Sequence, residues 1–153
     1  GVRGVTLDSD NDKVIGMVCV TREDANLLVV SENGYGKRSP IDDYRITRRG
    51  GVGVKTINVT DKTGKLVAIK EVADDDELMI INRSGITIRI KVEELRVMGR
   101  ATQGVRLIKL NDDDSISSVE KIQRVEGEHG DVPEGGAEPE APTSDGESTE
   151  TNN

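Results

Sequence analysis

Residues 78–85 read Leu78-Met79-Ile80-Ile81-Asn82-Arg83-Ser84-Gly85, and 51 positions earlier residues 27–34 read Leu27-Leu28-Val29-Val30-Ser31-Glu32-Asn33-Gly34. The correspondence continues without a gap through Arg38/Arg89, Ile41/Val92, Asp42/Glu93, Asp43/Glu94, Arg45/Arg96, Arg49/Arg100, Gly53/Gly104 and Lys55/Arg106. Apolar positions that recur at a fixed period are typical of stacked repeats, in which each unit buries its core against the next. We therefore predict consecutive structural units of about 50 residues.

Four kinds of segment in these units have the pattern of a short β-strand. Their positions are 14–20, 66–72 and 116–122 for the first kind, 27–30 and 78–81 for the second, 86–92 for the third, and 5–7, 54–57 and 105–108 for the fourth. The second ends at a glycine turn, and the third alternates apolar and polar side chains, which is typical of a hairpin. Phe and Trp are absent, so the core must consist of Val, Ile and Leu, which favours strands. We predict an all-β fold of propeller-like blades with four strands each, and a single helical turn at 92–95.

Charge is distributed unevenly along the 153 residues. Residues 1–124 carry 21 Lys and Arg against 20 Asp and Glu, whereas residues 125–153 carry nine acids and no Lys or Arg. The second segment is rich in Gly, Pro, Glu, Ser and Thr and nearly free of hydrophobic side chains, so it cannot bury enough apolar surface to fold. We predict a domain of β-blades at 1–124 and a disordered acidic tail at 125–153.

Composition restricts both the cellular context and the chemistry. A single cysteine, Cys19, excludes an intrachain disulfide, and no apolar run is long enough to span a bilayer, so we expect a cytoplasmic protein without a membrane partner. The only histidine, His129, lies in the tail, which excludes a Ser–His pair and a His-based metal site. The turn at 8–12 opens like a calcium loop, but Lys13 replaces the required glycine. We predict no catalytic site, no metal site and no cofactor in this chain.

The most specific local feature is a basic, glycine-rich stretch, which reads Thr47-Arg48-Arg49-Gly50-Gly51-Val52-Gly53-Val54-Lys55. Glycines let a backbone turn sharply and present N–H groups to a phosphate, and arginines add bidentate, charge-assisted contacts. The Gly-Lys-Ser/Thr ending of a nucleotide-binding P-loop is missing. A structural turn flanked by solvated arginines explains the same composition, so this stretch alone does not decide between the two interpretations.

The recurrence of the cations favours a binding surface. If the units stack around an axis, equivalent cations fall along one rim, and a curved row of positive charge suits the regularly spaced phosphates of duplex DNA. Such a rim can also bend the duplex around itself. The predicted DNA contacts are Lys37, Arg38, Arg45, Arg48, Arg49, Gly50, Gly51, Gly53, Lys55, Arg89, Lys91, Arg96, Arg100 and Arg106.

A family resemblance rests on the same residues. Arg48-Arg49-Gly50-Gly51-Val52-Gly53 resembles the Gln-Arg-Arg-Gly-Gly-x-Gly box in the C-terminal domain of the DNA gyrase A protein, with Thr47 in place of the glutamine. The segments Gly34-Tyr35-Gly36-Lys37-Arg38 and Gly99-Arg100-Ala101-Thr102-Gln103-Gly104-Val105 resemble the last blades of that domain, and the likeness covers residues 1 to about 124. The resemblance implies a β-pinwheel that wraps duplex DNA on a basic rim and supports ATP-dependent negative supercoiling by the holoenzyme.

The resemblance also implies a molecular setting. The parent protein would be an ATP-dependent type II DNA topoisomerase, an isomerase whose cleavage tyrosine and ATP site lie outside these residues. ATP and magnesium would be cofactors of the holoenzyme only. The implied partners are double-stranded DNA, the rest of the gyrase A protein and the gyrase B protein in an A2B2 heterotetramer, in the cytoplasm on the chromosome. Two alternatives are the corresponding C-terminal domain of topoisomerase IV and a propeller-type protein-interaction scaffold whose arginines are merely solvated.

Overall fold

The computed structural model describes residues 1–122, and β-strands dominate this part of the chain. They are β1 (Asn26–Ser31), β2 (Tyr35–Pro40), β3 (Leu66–Val72), β4 (Glu77–Asn82), β5 (Thr87–Lys91), β6 (Val105–Arg106) and β7 (Ile116–Ile122). Short 3₁₀ turns at Ile41–Asp43 and Val92–Glu94 follow β2 and β5, which confirms the predicted helical turn. No helix among the described residues is both long and apolar enough to cross a membrane. The predicted all-β class is confirmed, and the predicted tail at 125–153 lies outside the described residues.

The two hairpins have the same construction. β1 pairs antiparallel with β2, and β4 pairs antiparallel with β5. Their turns contain Gly34 and Gly85, with φ of 80° and 87°, a left-handed conformation that glycine adopts without strain. At Gly34 an added Cβ would also lie 2.7 Å from the carbonyl oxygen of Ile108, so the position has no room for a side chain. The repeated Asn/Ser-Gly turns therefore determine where each hairpin reverses.

Each hairpin is extended by a strand that follows it in sequence. β3 pairs with β1 and β7 pairs with β4, which gives the sheet orders β3-β1-β2-β6 and β5-β4-β7. The first sheet has the four strands expected of a blade, and its outer strand β6 comes from beyond the second hairpin. This exchange of strands links neighbouring units, and the linear order of the segments does not indicate it.

The hydrophobic core lies between the two sheets. Leu28 and Val30 of β1 pack in one cluster with Leu78 and Ile80 of β4. The 51-residue period makes Leu78 equivalent to Leu27, so the strands contribute opposite faces to the contact, because side chains alternate along a strand. The front of one unit therefore packs on the back of the next, and β1 is buried on both faces. This head-to-tail packing is the stacked arrangement that the repeat predicts.

Three predicted strands are absent, at 14–20, 5–7 and 54–57. The segment 14–20 is equivalent to β3 and β7, which are strands because a hairpin accepts their backbone hydrogen bonds, and no hairpin pairs with 14–20 within residues 1–122. Its apolar side chains are accordingly exposed, with Met17 85% accessible, and Cys19 is exposed as well. Segments 5–7 and 54–57 belong to loops, and the predicted strand at 105–108 is shortened to β6.

Candidate nucleic-acid interface

Three loop segments lie side by side along the edge of the first sheet. We call them together the outer strip, defined as residues 3–6, 45–58 and 96–106. Their connecting backbone hydrogen bonds are Gly50 N–H to Gly4 O (2.7 Å), Thr6 N–H to Gly51 O (2.9 Å) and Asn58 N–H to Thr102 O (3.1 Å). The last segment also lies against β2, where Val97 bridges to Arg38 and β6 pairs with Tyr35 and Gly36. The outer strip is therefore a continuous surface that crosses from one repeat to the next.

The outer strip is strongly basic. It carries eight cations and no Asp or Glu, whereas the rest of residues 1–122 carries 12 cations against 20 acids. Seven of the eight are exposed and Arg100 is half-buried. The eight are Arg3, Arg45, Arg48, Arg49, Lys55, Arg96, Arg100 and Arg106. A surface of one sign attracts polyanions and concentrates them near the protein.

The glycine-rich stretch forms an exposed loop within the strip. Gly50 and Gly53 have φ of 79° and 81°, which explains the need for glycine at both positions. Arg48 and Arg49 precede the turn with exposed side chains, and Gly51 and Gly53 are exposed. The prediction that Gly50 presents its N–H to a phosphate is wrong, because that N–H donates to the carbonyl of Gly4. The arginine side chains are the groups that this loop offers to an anion.

The base of this loop is closed by side chains. Arg100 Nε donates to the carbonyl of Asp43 at 3.1 Å, and its terminal nitrogen donates to the carbonyl of Lys55 at 2.5 Å. The hydroxyl groups of Tyr44 and Thr56 are hydrogen-bonded to each other between the same two ends of the loop. One guanidinium of the second repeat thus joins the two ends of the arginine-bearing loop of the first. Arg100 fixes the loop, so it differs from its sequence equivalent Arg49.

Lys37 and Arg38 are buried, which contradicts their predicted role as DNA contacts. Lys37 is 1% exposed, and its Nζ donates to the carbonyls of Gly99 (2.6 Å) and Arg100. Burial lowers the pKa of Lys37, and the nearby positive charge of Arg100 lowers it further. Arg38 is 5% exposed. It donates from Nε to the carbonyl of Leu95 and forms an ion pair with Asp74. Lys37 attaches the third segment of the outer strip to β2, and Arg38 attaches the residue just before that segment.

Arg89 and Lys91 are exposed but lie outside the outer strip, on β5 of the second sheet. Arg89 forms an ion pair with Glu77, and Lys91 lies 3.4 Å from Glu93. The shallow depressions around them are also lined by acids from 74–76 and by Glu94. The prediction that the recurring cations share one basic rim is therefore wrong for Arg89, and Lys91, whose counterpart is Pro40, lies off that rim as well. Acidic neighbours neutralise the local potential around both residues.

One cation of the outer strip is absent from the predicted set. Arg3 is exposed in the segment that pairs with the glycine-rich loop, and its carbonyl would lie 3.7 Å from a Cβ placed on Gly50. Arg3 precedes Gly4, and the residues that precede the equivalent glycines of the next two repeats are Val52 and Gln103, which are neutral. The repeat therefore gives no signal for Arg3. Only the pairing of the loops in space brings it beside the glycine-rich loop.

The chemistry available on the strip is anion binding. Among residues 1–122, no group of three or more His, Cys, Asp and Glu side chains is arranged to hold a metal ion. The strip offers guanidinium and ammonium groups on loops with fixed bases, at positions that successive repeats provide. Phosphates at regular intervals match such an array better than a single small anion does.

Solved structures share this architecture. One, a DNA gyrase A C-terminal domain, superposes with a TM-score of 0.61 at 32% identity, covering 65% of this chain and 34% of that one. The C-terminal domain of DNA topoisomerase IV superposes with a TM-score of 0.73 at 19% identity, covering 80% of this chain and 38% of that one. At that identity the second likeness shows the fold alone.

Comparison of sequences assigns the family. The A subunit of DNA gyrase from Staphylococcus aureus (strain MRSA252) is 45% identical over 124 residues, and the match covers 80% of this chain but only 14% of that protein. The sequence model of the family of DNA gyrase C-terminal domains, which are β-propellers, matches three consecutive segments of this chain, 1–21, 25–73 and 76–123. These three matches reproduce the repeat found in the sequence. The chain therefore belongs to the family of DNA gyrase C-terminal domains and has its β-propeller fold.

Proposed function

We propose that the outer strip binds duplex DNA and wraps it, as part of a DNA gyrase A protein. The observation that carries this proposal is the charge of the strip, with eight cations and no acid in a domain that is otherwise acidic. Segregation of this kind is the electrostatic pattern of a polyanion-binding surface. The membership of the gyrase family supports DNA as the polyanion.

The geometry suits recognition of the DNA backbone. Arg48 and Arg49 can each make bidentate contacts to phosphate from a loop whose base is already closed, so little ordering is required on binding. Cations from successive segments then contact successive phosphates without reading the bases. Bending a site of 20–30 base pairs costs on the order of 1–6 kcal/mol, which additional phosphate contacts along the strip can offset.

The same proposal places the chain in a larger enzyme. The chain spans 14% of the gyrase relative that it matches. We propose that catalysis belongs to other parts of the enzyme. We propose that the holoenzyme joins the rest of the gyrase A protein and the gyrase B protein as A2B2, uses ATP and magnesium, and introduces negative supercoils in chromosomal DNA in the cytoplasm. In this scheme the outer strip presents a wrapped DNA segment and carries out no covalent chemistry.

A protein-interaction scaffold is the second candidate, and exposed apolar side chains favour it. Ile46 and Val52 lie on the outer strip with 102% and 79% exposure, and contiguous patches of such residues mark sites of protein interaction. The outer strip also exposes Val5, Val97 and Val105. Ile46, Val97 and Val105 each adjoin an arginine in sequence, however, whereas a protein-binding surface concentrates apolar residues in its centre. The C-terminal domain of topoisomerase IV remains a related alternative, which shares the fold and would also bind DNA.

The test is the DNA affinity of the full-length gyrase A protein across a range of salt concentrations. If the seven exposed cations of the strip each neutralise a phosphate, the slope of log affinity against log salt approaches about −6. The double variant Arg48→Ala/Arg49→Ala is expected to reduce that slope by about 2 and to reduce supercoiling by the reconstituted enzyme. Affinity that is absent at low salt, or that does not change with salt, would favour the scaffold.

A further inference from the structure

Tyr35 is held between two cations at one end of the outer strip. It begins β2, is 7% exposed, and has Lys62 Nζ and Arg106 Cζ each 5.4 Å from its ring centroid. Its hydroxyl oxygen also accepts a hydrogen bond of 2.9 Å from Arg106. An aromatic ring at this distance attracts a cation and fixes its position. Both cations remain exposed to solvent.

The backbone below Lys62 is fixed by the hairpin of the first repeat. Asn33 Nδ2 donates to the carbonyls of Asp61 (3.1 Å) and Lys62 (3.2 Å), and the Asn33 N–H donates to the carbonyl of Thr63. Thr63 is fully buried, and its hydroxyl accepts a hydrogen bond from the N–H of Thr60. Lys62 is therefore an exposed ammonium group on a rigid turn.

The backbone below Arg106 is fixed as well. Arg106 is paired with Tyr35 in the sheet, and the N–H of the following residue, Leu107, donates to the carbonyl of Gly34. Neither Lys62 nor Arg106 forms an ion pair within the part of the chain that the structure describes. The carboxylate of Glu32 is close to this turn, but it accepts a hydrogen bond from the N–H of Lys65. Two fixed cations thus lie together, and neither is held in an ion pair among the described residues.

We propose that Lys62 and Arg106, positioned by Tyr35, form a second phosphate-binding point that extends the outer strip beyond the glycine-rich loop. The inference rests on the proposed DNA binding and adds to it Lys62 as a contact and Tyr35 as a positioning residue. Lys62 Nζ and Arg106 Cζ each lie 5.4 Å from the centroid of the Tyr35 ring, so the two cations are at most twice that distance apart. Both can therefore reach the same short stretch of DNA backbone. Their side chains are ordered before binding, which lowers the entropy cost of each phosphate contact.

This point is built only once in the described residues. At a spacing of 51 residues, Ile86 takes the place of Tyr35 and Asp113 that of Lys62, so the second repeat has neither the ring nor the cation. A contact made by Lys62 is therefore independent of the recurring cations, and a single substitution removes it.

The experiment measures binding of a linear duplex to the full-length gyrase A protein by fluorescence anisotropy at several potassium chloride concentrations. Lys62→Ala is expected to weaken binding about 5- to 10-fold near 0.1 M salt and to reduce the salt slope by about 1, without changing thermal stability. Lys13→Ala is the matched control, because Lys13 is an exposed lysine that follows the acid-rich turn at 8–12 and should leave both quantities unchanged.

Tyr35→Phe tests the positioning role. The ring and its packing are retained while the acceptor for Arg106 is lost, so binding should weaken by less than in Arg106→Ala at an unchanged melting temperature. If wild-type binding is steeply salt-dependent and Lys62→Ala matches Lys13→Ala, the second phosphate-binding point is refuted and the outer strip remains. If the wild-type protein shows no salt-dependent binding, the proposed function itself fails.

Discussion

Alanine substitutions at Arg49 and Arg100 should have different effects, although the repeat makes the two residues equivalent. Arg49 is exposed on the glycine-rich loop, whereas Arg100 donates to the carbonyls of Asp43 and Lys55 and so joins the ends of that loop. Arg49→Ala removes a cation only. Arg100→Ala removes a cation and the connection that holds the loop closed.

The magnitudes follow from the hydrogen bonds. Bonds to a charged donor contribute about 1.5–3 kcal/mol each when buried, and the half-exposed position of Arg100 reduces this, so we expect Arg100→Ala to lower the free energy of unfolding by about 1–3 kcal/mol. In a domain of this size that corresponds to a fall in melting temperature of roughly 3–10 °C. An exposed substitution such as Arg49→Ala should stay within about 0.5 kcal/mol of wild type.

Thermal denaturation of the chain and DNA anisotropy at several salt concentrations measure the two effects together. Arg49→Ala should reduce the salt slope by about 1 at an unchanged melting temperature. Arg100→Ala should lower the melting temperature and weaken DNA binding further, because a loosened loop must be ordered when DNA binds. Arg100→Lys separates charge from geometry, since a lysine keeps the charge but lacks the planar fork that reaches both carbonyls.

Equal melting temperatures for the Arg49 and Arg100 variants would refute this reasoning, because they would show that the carbonyl contacts of Arg100 contribute nothing to the loop. Full recovery of stability and binding in Arg100→Lys would refute it as well. In that case positive charge alone would account for the role of Arg100, and Arg49 and Arg100 would be equivalent, as the repeat implies.

Three further predictions concern other parts of the molecule. Gly104→Ala should destabilise the domain by at least about 2 kcal/mol, because φ of Gly104 is 77° and an added Cβ would lie 2.5 Å from the carbonyl oxygen of Gly36. Chemical denaturation measures this loss, and Gly99→Ala is the control because the space around Gly99 is open. Glu71 accepts hydrogen bonds from the N–H groups of Thr21 and Arg22, and these bonds hold its pKa below the ordinary value. Ionised Glu71 therefore stabilises the folded domain fully above an ordinary glutamate pKa of about 4.3, and this stabilisation is lost as the pH falls through the lowered pKa. Glu71→Gln should therefore flatten the acid limb of a stability–pH curve, and an unchanged acid limb would contradict this assignment. Deletion of the acidic segment 125–153 should tighten DNA binding most at low salt, if its nine acids compete with DNA for the outer strip, and weaker binding would count against competition.

Features that depend on local pattern could be predicted from the sequence. The glycine turns at Gly34 and Gly85, the alternating strand β5 and the apolar strand β3 follow from nearest-neighbour spacing and period-two alternation, and β7 follows from its match to β3 in the repeat. The arginines of the glycine-rich loop were also predicted correctly as exposed, since a turn rich in glycine has no side chains to cover them. These elements needed no knowledge of which strands meet.

The remaining features depend on contacts between distant parts of the chain. Arg38 and Arg89 are equivalent in sequence, yet one is buried under the third segment of the outer strip and the other is exposed on β5. The difference arises because 97–106 covers the edge of β2, whereas no segment within residues 1–122 pairs with the outer edge of β5. A period in the sequence shows which positions are equivalent but not which copy has a neighbour.

Exchange of strands between repeats also explains why the outer strip can be both exposed and well positioned. Its third segment is attached to the preceding unit, through Lys37 to the carbonyls at 99–100 and through Arg100 to the ends of the first loop. The cations that were predicted to bind DNA therefore divide into two groups with connected roles. Within and beneath the outer strip, buried or half-buried ones hold the loops at a fixed spacing, and exposed ones present charge at that spacing; Arg89 and Lys91, on the second sheet, belong to neither group. Each attachment crosses from one repeat to the next. If the outer strip wraps DNA as proposed, force from the bent duplex on one loop would therefore be shared with the neighbouring loop.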